Sequence, residues 1–586
     1  MKIFDEKVNE QSVQSIQPVQ SVQQNQELSE MSSYDHRRYA RSAAFRKKDR
    51  RWPDRSIKKA PVWASVDLRD GNQALVSPMD LAAKLRLFQL LVRMGFTEIE
   101  VGFPAASSTE YRFLRHLVEE GHIPEDVTIQ VLTQIREDLI ARTFDALRGV
   151  RRAIVHIYNS VNPVQREQVF RLDKTGIRKI AEKGARWIRD YASREPGTAW
   201  TFEYSPESYS DTEPEFAVEV CSSVREIWKP ENGQKVIFNL PATVEMSTPN
   251  VFADQVEWFL DYLPGREHVM VSVHTHNDRG SAVAAAELAV MAGVDRVEGT
   301  LFGNGERTGN MDILTMAMNL YSSGVDPRLD LSFSREISDV YTECTGLPVS
   351  PRHPWFGELV YTAFSGSHQD AIRKGMAFYR EKGGLWSVPY LPVDPADLGR
   401  RYDEVVRINS QSGKSGLAHV FERDHGILLP SWFLPDFSGL VQEESERTGE
   451  EVSSSRLMEI FRIHYLDPAP GWTLRRYAVE STGTLVRLRA TVDEHGKRNL
   501  EGKGNGIVEA LLDALSKHIP QPPDIEQFTE QALSSGTRAR AMCFVRVKAN
   551  DGNSFSAAGE GEDSAEAILQ AVLSAVGKGH SPREFS

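Results

Sequence analysis

Val269-Met270-Val271-Ser272-Val273-His274-Thr275-His276-Asn277-Asp278 is the stretch on which the reading of this chain turns. It begins as an apolar, β-branched run and ends with two imidazoles two residues apart. In a strand, residues i and i+2 point to the same side, so both rings can address one metal ion without any special backbone. The plainer reading is a polar strand end with two solvated histidines.

Working outward, the same kind of run recurs. From Pro61 onward there are eight: Val62–Leu68, Glu98–Phe103, Thr128–Leu132, Ala153–Tyr158, Trp200–Tyr204, Lys235–Leu240, Val269–Val273 and Arg296–Leu301. An amphipathic stretch follows each, near 80–94, 107–119, 136–148, 175–192, 214–228, 249–261, 280–291 and 311–323. Eight strand-then-helix units in about 260 residues predict a (β/α)8 TIM barrel. A doubly wound sheet is the alternative, but eight successive units fit closure better.

Barrels of this kind carry their active sites at the C-terminal ends of the strands. Those ends read Arg69-Asp70-Gly71-Asn72-Gln73 after the first strand, His156 and Tyr158 on the fourth, and Ser205 and Glu207 after the fifth. The sixth ends in Pro241-Ala242-Thr243, the seventh in His274 and His276, and the eighth leads to Gly303-Asn304-Gly305-Glu306-Arg307-Thr308-Gly309-Asn310. The polar residues collect at one rim. Asp70, His274, His276 and Asn310 make a candidate metal shell: one carboxylate, two imidazoles and an amide oxygen suit a borderline or hard divalent ion. Asp70 could instead pair with Arg69, and Asn310 could cap a helix starting at Met311. Arg69 could polarise a carbonyl or steady an enolate. Glu207, Thr243, His156 and Ser205 could orient a small oxo-acid, or be ordinary polar lining.

Two look-alike motifs fail. GNGERTGN is spaced G-x-G-x-x-x-G and belongs to the last strand, not to a first dinucleotide-binding unit. Ser412-Gly413-Lys414-Ser415 imitates a P-loop ending, but Ile408 stands where the leading glycine is required.

The chain has 586 residues, more than one ordinary domain. A formal net charge of −13 argues against nucleic acid as a partner. Cys221, Cys344 and Cys543 are far apart, which suggests a reducing compartment and no thiolate metal site. No apolar run reaches membrane-spanning length and no signal-peptide core is present, so a cytoplasmic protein without a membrane partner is expected.

Residues 1–50 read as a disordered, glutamine-rich arm turning basic (QSVQSIQPVQSVQQNQ, then HRRYARSAAFRKKDRR). Residues 51–325 read as the barrel and 326–472 as helical linker subdomains covering its mouth. Residues 473–586 read as an α/β domain of two repeated modules. In that repeat LEGKGNGIVEALLDALSKHI (500–519) parallels AAGEGEDSAEAILQAVLSAV (557–576). The helix N-termini after the glycines could hold a small carboxylate ligand; otherwise the glycines only make tight strand–helix turns.

LRDGNQ, HTHND and GNGERTGN together resemble the 2-isopropylmalate and homocitrate synthase family of acyl-CoA Claisen enzymes, from about residue 50 to the C-terminus. DLRDGNQAL, FEYSPE, NLPATVE and RINSQSGKSG are most similar to its long-form members. The glutamine-rich start lies outside the likeness. The resemblance implies condensation of acetyl-CoA with 3-methyl-2-oxobutanoate, then thioester hydrolysis to 2-isopropylmalate and CoA, at the first committed step of leucine synthesis. It implies that Asp70, His274, His276 and Asn310 hold the metal: Mg2+, with Mn2+ or Zn2+ as alternatives, and K+ as a candidate activator. It implies that Arg69 stabilises the developing alkoxide and that Glu207 and Thr243 contact substrate, beside His156, Tyr158 and Ser205. Glu306 would sit near acetyl-CoA. His368, in SGSHQDA, and Tyr402 would assist proton removal from a covering segment supplied by the other subunit of a homodimer. Leucine would bind the C-terminal modules as allosteric inhibitor. Homocitrate or citramalate synthesis is the alternative on the same fold. A non-catalytic amino-acid sensor is the alternative of another class.

Overall fold

The computed structural model describes residues 45–230, 235–363, 365–400, 414–449, 451–467, 472–493, 497–519, 524–533, 539–548 and 552–580. The expected glutamine-rich arm therefore lies largely outside the described residues.

Eight parallel strands close into a barrel in sequence order. They are β1 (Val62–Ser65), β2 (Glu98–Gly102), β3 (Thr128–Gln134), β4 (Arg152–Ser160), β5 (Ala199–Glu207), β6 (Val236–Ala242), β7 (Val269–Thr275) and β8 (Arg296–Gly299). β8 pairs back to β1 from Val62↔Arg296 to Ser65↔Gly299, which closes the cylinder. The expected TIM barrel is present.

The strands are buried on both faces, and the two faces differ in chemistry. Ile99, Val101, Ile129, Val131, Val155, Ile157, Phe238, Leu240, Val273 and Val297 alternate with Glu100, Gln130, His156, Asn239, His274 and Glu298, all buried. Alternate residues of a strand face opposite ways. Gln130 on β3 donates to Glu298 on β8 at 2.9 Å, between strands that are not neighbours. The polar set therefore points into the barrel.

The strand ends are corrected: β3, β4, β5, β6 and β7 run two or three residues past the expected ends, so Ser205 and Glu207 lie on β5 rather than after it, while β1, β2 and β8 stop short. The first run was expected to continue to Leu68, but β1 stops at Ser65 and residues Asp67–Gly71 form a wide π-type turn. The Val66 carbonyl accepts from the amides of Arg69, Asp70 and Gly71, while Asp67 is fixed by Ser65 Oγ and the Leu301 amide. Such turns are uncommon and gather at functional sites. The eighth run was expected to reach Leu301; instead Thr300 bridges to Asp312, and Leu301–Gly303 form a single tight turn.

The described chain divides into two compact units: residues up to Ala74 with Glu98–Asp312, and Leu75–Thr97 with Ile313–Ser586. The second unit contains the helices Leu81–Met94, Ile313–Ser322, Ser334–Thr345, Gly366–Lys382, Lys414–His425, Leu434–Thr448 and Ser454–Phe461. Two antiparallel sheets end it. One runs β11-β10-β9, from β9 (Thr473–Thr482), β10 (Leu485–Asp493) and β11 (Lys497–Gly504), and leads to the helix Ile507–Ser516. The other runs β12-β13-β14, from β12 (Asp524–Ala532), β13 (Ala541–Lys548) and β14 (Ser554–Gly561), and leads to the helix Ser564–His580.

Gly502 and Gly559 of the repeat serve packing rather than a turn. Gly502 and Gly559 lie inside β11 and β14, where a Cβ would stand 2.0 Å from the Ala510 carbonyl oxygen and 2.3 Å from that of Ala567. They let a helix backbone press against a strand. The helix N-termini are also supplied from within: Glu509 accepts from the Asn505 amide, Glu566 from the Glu562 amide, and Asp563 from the Glu566 amide. A carboxylate ligand there would meet these carboxylates.

Candidate active site

The turn after β1 carries Arg69 and Asp70 to the mouth, His274 is the next-to-last residue of β7, and His276 follows the strand. One ligating atom from each of Asp70, His274 and His276 lies within 4.8 Å of the others, and all three residues are buried. Asn310 closes the group. Its Oδ1 lies 3.1 Å from His274 Nε2, and its amide donates to Asp70 Oδ2 at 2.8 Å. Asn310 does not cap a helix at Met311; the helix begins at Ile313, and Asn310 forms a bridge with His276.

Charge and burial give these donors distinct states. Burial alone would raise the Asp70 carboxyl, but the Arg69 guanidinium, 2.5 Å away, holds it well below the usual range. Burial also opposes charge on His274, yet Asp70 and Glu298 together raise it to about 9. Burial, and then the charge on His274, lower His276 to about 3, so its ring is neutral. His276 Nδ1 is buried with no hydrogen-bond partner. An ionised carboxylate, two converging imidazoles and an amide, with one buried ring nitrogen unpaired, fit a divalent cation.

Behind this group lies a layer of side chains that the sequence reading did not single out. Glu298 Oε2 lies 2.9 Å from His274 Nδ1 and accepts from Asn239 Nδ2, also at 2.9 Å. Its other oxygen accepts from Gln130 and, at 3.0 Å, from Arg296. A carboxylate on the far nitrogen of a metal-binding imidazole fixes the ring and its tautomer. On the opposite side His156 Nε2 lies 2.7 Å from Ser205 Oγ, and Nδ1 lies 3.3 Å from Glu100 Oε1. Glu100 in turn accepts from Arg69 Nε at 2.5 Å. The available signal was a charged or amide residue set between strand neighbours: Glu100 in IEV, Glu203 in FEY, Asn239 in FNL and Glu298 in VEG.

His156, Glu203 and Glu298 also place ligating atoms within 4.8 Å of one another. There the positive charge is already present: fully buried Arg296 donates to Glu298 and lies 3.6 Å from Glu203. That cluster reads as the barrel's internal ion-pair layer.

A cavity of about 180 Å³ opens over these groups and is lined by Arg69, Asp70, His156, Tyr158, Ser205, Glu207, Thr243, His274, His276 and Glu306. Leu132 and Pro241 add apolar wall. Ser160 Oγ donates to Glu207, and Thr243 Oγ1 accepts from the Ser208 amide at 2.9 Å. Glu306 is exposed and accepts from Gln73 at 2.9 Å. Arg307 reaches across to Asp278 and to the Thr243 carbonyl, tying three loops at the rim. His368 belongs to the second compact unit, exposed on the helix Gly366–Lys382 with its ring stacked 4.0 Å from that of Tyr390. Tyr402 lies outside the described residues.

Fold and site together define a (β/α)8-barrel enzyme working at the C-terminal ends of its strands, and residues 60–340 match the HMGL-like family model. Residues 358–422 match the alpha-isopropylmalate synthase post-catalytic domain-like model, and 451–580 the LeuA allosteric (dimerisation) domain. A 2-isopropylmalate synthase of Alcanivorax borkumensis is 54% identical over 93% of this chain and 98% of its own length. One from Paraburkholderia phytofirmans is 51% identical over 91% of this chain and 93% of its own. One from Pseudomonas savastanoi is 50% identical over 90% and 95%. The chain belongs to the 2-isopropylmalate synthase family.

Proposed function

We propose that this protein joins the methyl carbon of acetyl-CoA to C2 of 3-methyl-2-oxobutanoate and then hydrolyses the thioester, giving 2-isopropylmalate and CoA. The observation that carries this reading is 54% identity over 98% of the length of a relative bearing that name. Asp70, His274, His276 and Asn310 would hold a divalent ion, whose chemistry there is Lewis-acid polarisation of the 2-oxo group. Arg69, partly buried beside Asp70 and always charged, balances the negative charge that grows on that oxygen as the carbon–carbon bond forms. Thr243 has a hydroxyl proton to offer the oxo-acid, His156 and Ser205 form the polar wall beside it, and Glu207 is an acceptor for a hydroxyl or water. Leu132, Pro241 and the ring of Tyr158 give the branched side chain an apolar wall.

The methyl proton of a thioester is weakly acidic, so a base and stabilisation of the resulting charge must act together. We assign the proton-removing side to His368 and Tyr402 of a covering segment from a second copy, with Glu306 toward the acetyl-CoA end. The LeuA allosteric (dimerisation) match over 451–580 supports a homodimer and leucine as the inhibitor that residues 473–586 bind. Residues 51–325 then form the catalytic barrel and 326–472 the covering linker. Three free, buried cysteines support a cytoplasmic location. No helix among the described residues is long and apolar enough to cross a membrane.

The test is thiol release from acetyl-CoA with 3-methyl-2-oxobutanoate, pyruvate, 2-oxobutanoate and 2-oxoglutarate, each with and without leucine. The branched substrate is expected to have the highest kcat/KM and to be inhibited by leucine. A preference for 2-oxoglutarate or pyruvate would move the chain to homocitrate or citramalate synthesis.

A further inference from the structure

Asn239 lies on β6 between the two halves of the site and is 1% exposed. Its amide nitrogen has two hydrogens, and both are placed. One points to Ser205 Oγ at 3.2 Å, the other to Glu298 Oε2 at 2.9 Å. Reversing the amide would set its oxygen against the Glu298 carboxylate, so charge decides which way it faces. Asn239 Oδ1 is buried without a partner, so these two bonds alone orient the side chain.

Consequences run both ways from this amide. Ser205 Oγ accepts from Asn239 and has its own proton free for His156 Nε2, 2.7 Å away, the ring nitrogen that must accept when Nδ1 donates to the Glu100 carboxylate. His156 Nε2 is then the acceptor, and Nδ1 carries the hydrogen toward Glu100, 3.3 Å away. On the other side, Glu298 is steered to receive the His274 Nδ1 hydrogen at 2.9 Å, which turns Nε2 toward Asp70 and Asn310. One amide thus sets the orientation of the imidazole that faces the oxo-acid and of the imidazole that faces the ion. The ring of contacts closes through Glu100, Arg69, Asp70 and Asn310.

We propose that Asn239 is a positioning residue that couples the keto-acid side of the pocket to the metal side. This rests on the metal-centred reading given above. Glu298 keeps its Gln130 and Arg296 donors without Asn239, so replacement loosens the site rather than dismantling it.

The experiment uses the full-length protein stripped of metal, with Asn239→Ala, Asn239→Asp, Ser205→Ala and the Asn239→Ala/Ser205→Ala double variant. Mn2+ affinity is measured by calorimetry, KM for each substrate by steady-state assay, and folding by circular dichroism and melting. Asn239→Ala is expected to weaken Mn2+ binding by about 10-fold or more. It should raise the keto-acid KM while leaving that for acetyl-CoA unchanged. Asn239→Asp keeps the shape but lacks the donors, and is expected to do at least as much; it is also the fallback if Asn239→Ala does not fold. The keto-acid effects of Asn239→Ala and Ser205→Ala should fail to add. Wild-type Mn2+ affinity in Asn239→Asp, or strict additivity with Ser205→Ala, overturns the proposal. Absence of Mn2+ binding by the wild type overturns the metal-centred reading itself, and the coupling with it.

Discussion

At the residue scale, Asp67 shows what it costs to build the mouth of this barrel. Its carboxylate holds the Leu301 amide and Ser65 Oγ, and burial pushes its pKa up to about 7. A carboxyl whose folded pKa is raised binds its proton more tightly folded than unfolded. Its contribution is therefore complete below about pH 4 and fades as pH rises through 7. Asp67→Asn keeps an acceptor for Leu301 and cannot ionise. We expect it to gain on the order of 3 kcal/mol over the wild type at pH 8 and nothing at pH 4, read from urea unfolding at both pH values. Equal stability differences at the two pH values would contradict this. His276 makes a second case. Its ring is neutral, and its buried Nδ1 has no hydrogen-bond partner among the described residues. His276→Ala is expected to keep the wild-type circular dichroism spectrum, since no hydrogen bond of that nitrogen is lost, while lowering CoA release by at least 100-fold. The spacing of His274 and His276 was legible because residues two apart in an extended segment share a face. Asn239 and Glu298 were not, because one polar residue in an apolar run shows no partner until β5, β6, β7 and β8 lie side by side.

At the scale of elements, runs of apolar and β-branched residues located all eight strands but misjudged their C-terminal ends, by three residues at β1 and at β5. Val66, Asp67 and Leu68 read as strand by composition, yet a single carbonyl, that of Val66, gathers three amides and curls the chain inward. That choice depends on Leu301 and Ser65 holding Asp67, a contact 234 residues away in one case. The repeat glycines give the corresponding lesson for the second unit. Their spacing before a helix was plain, but the close strand–helix approach that requires them was not. Gly502→Ala and Gly559→Ala place a methyl group against helix backbone and are expected to destabilise the C-terminal modules by roughly 1–3 kcal/mol. At Gly506 a Cβ would meet nothing within 4 Å, so Gly506→Ala should cost little. Denaturant midpoints of the three variants check this; equal midpoints for Gly502→Ala and Gly506→Ala would refute the packing argument.

At the scale of the whole molecule, the order of elements was readable, but the way the second unit is held together was not. Phe421, Phe433, Phe437, Phe461 and Tyr465 form one buried cluster with Met542, Phe544 and Ala558 of β13 and β14. Arg546 donates to Asp436 at 2.5 Å, across 110 residues of sequence. A chain cut after residue 467 would uncover that cluster. We expect it to melt at lower temperature and bind hydrophobic dyes, so leucine regulation is better tested by substitution in the intact protein than by truncation. The central claim is that one divalent ion, held by groups from the turn after β1, the end of β7 and the residue beyond it, and the segment after β8, makes the condensation possible. Its most direct test is a metal titration of stripped, full-length protein that follows CoA release and bound ion together. The account predicts activity rising from near zero to a plateau at one ion per chain in the wild type, and no comparable rise in Asp70→Ala. Full CoA release by the stripped wild type, or unchanged ion affinity in Asp70→Ala, would contradict it.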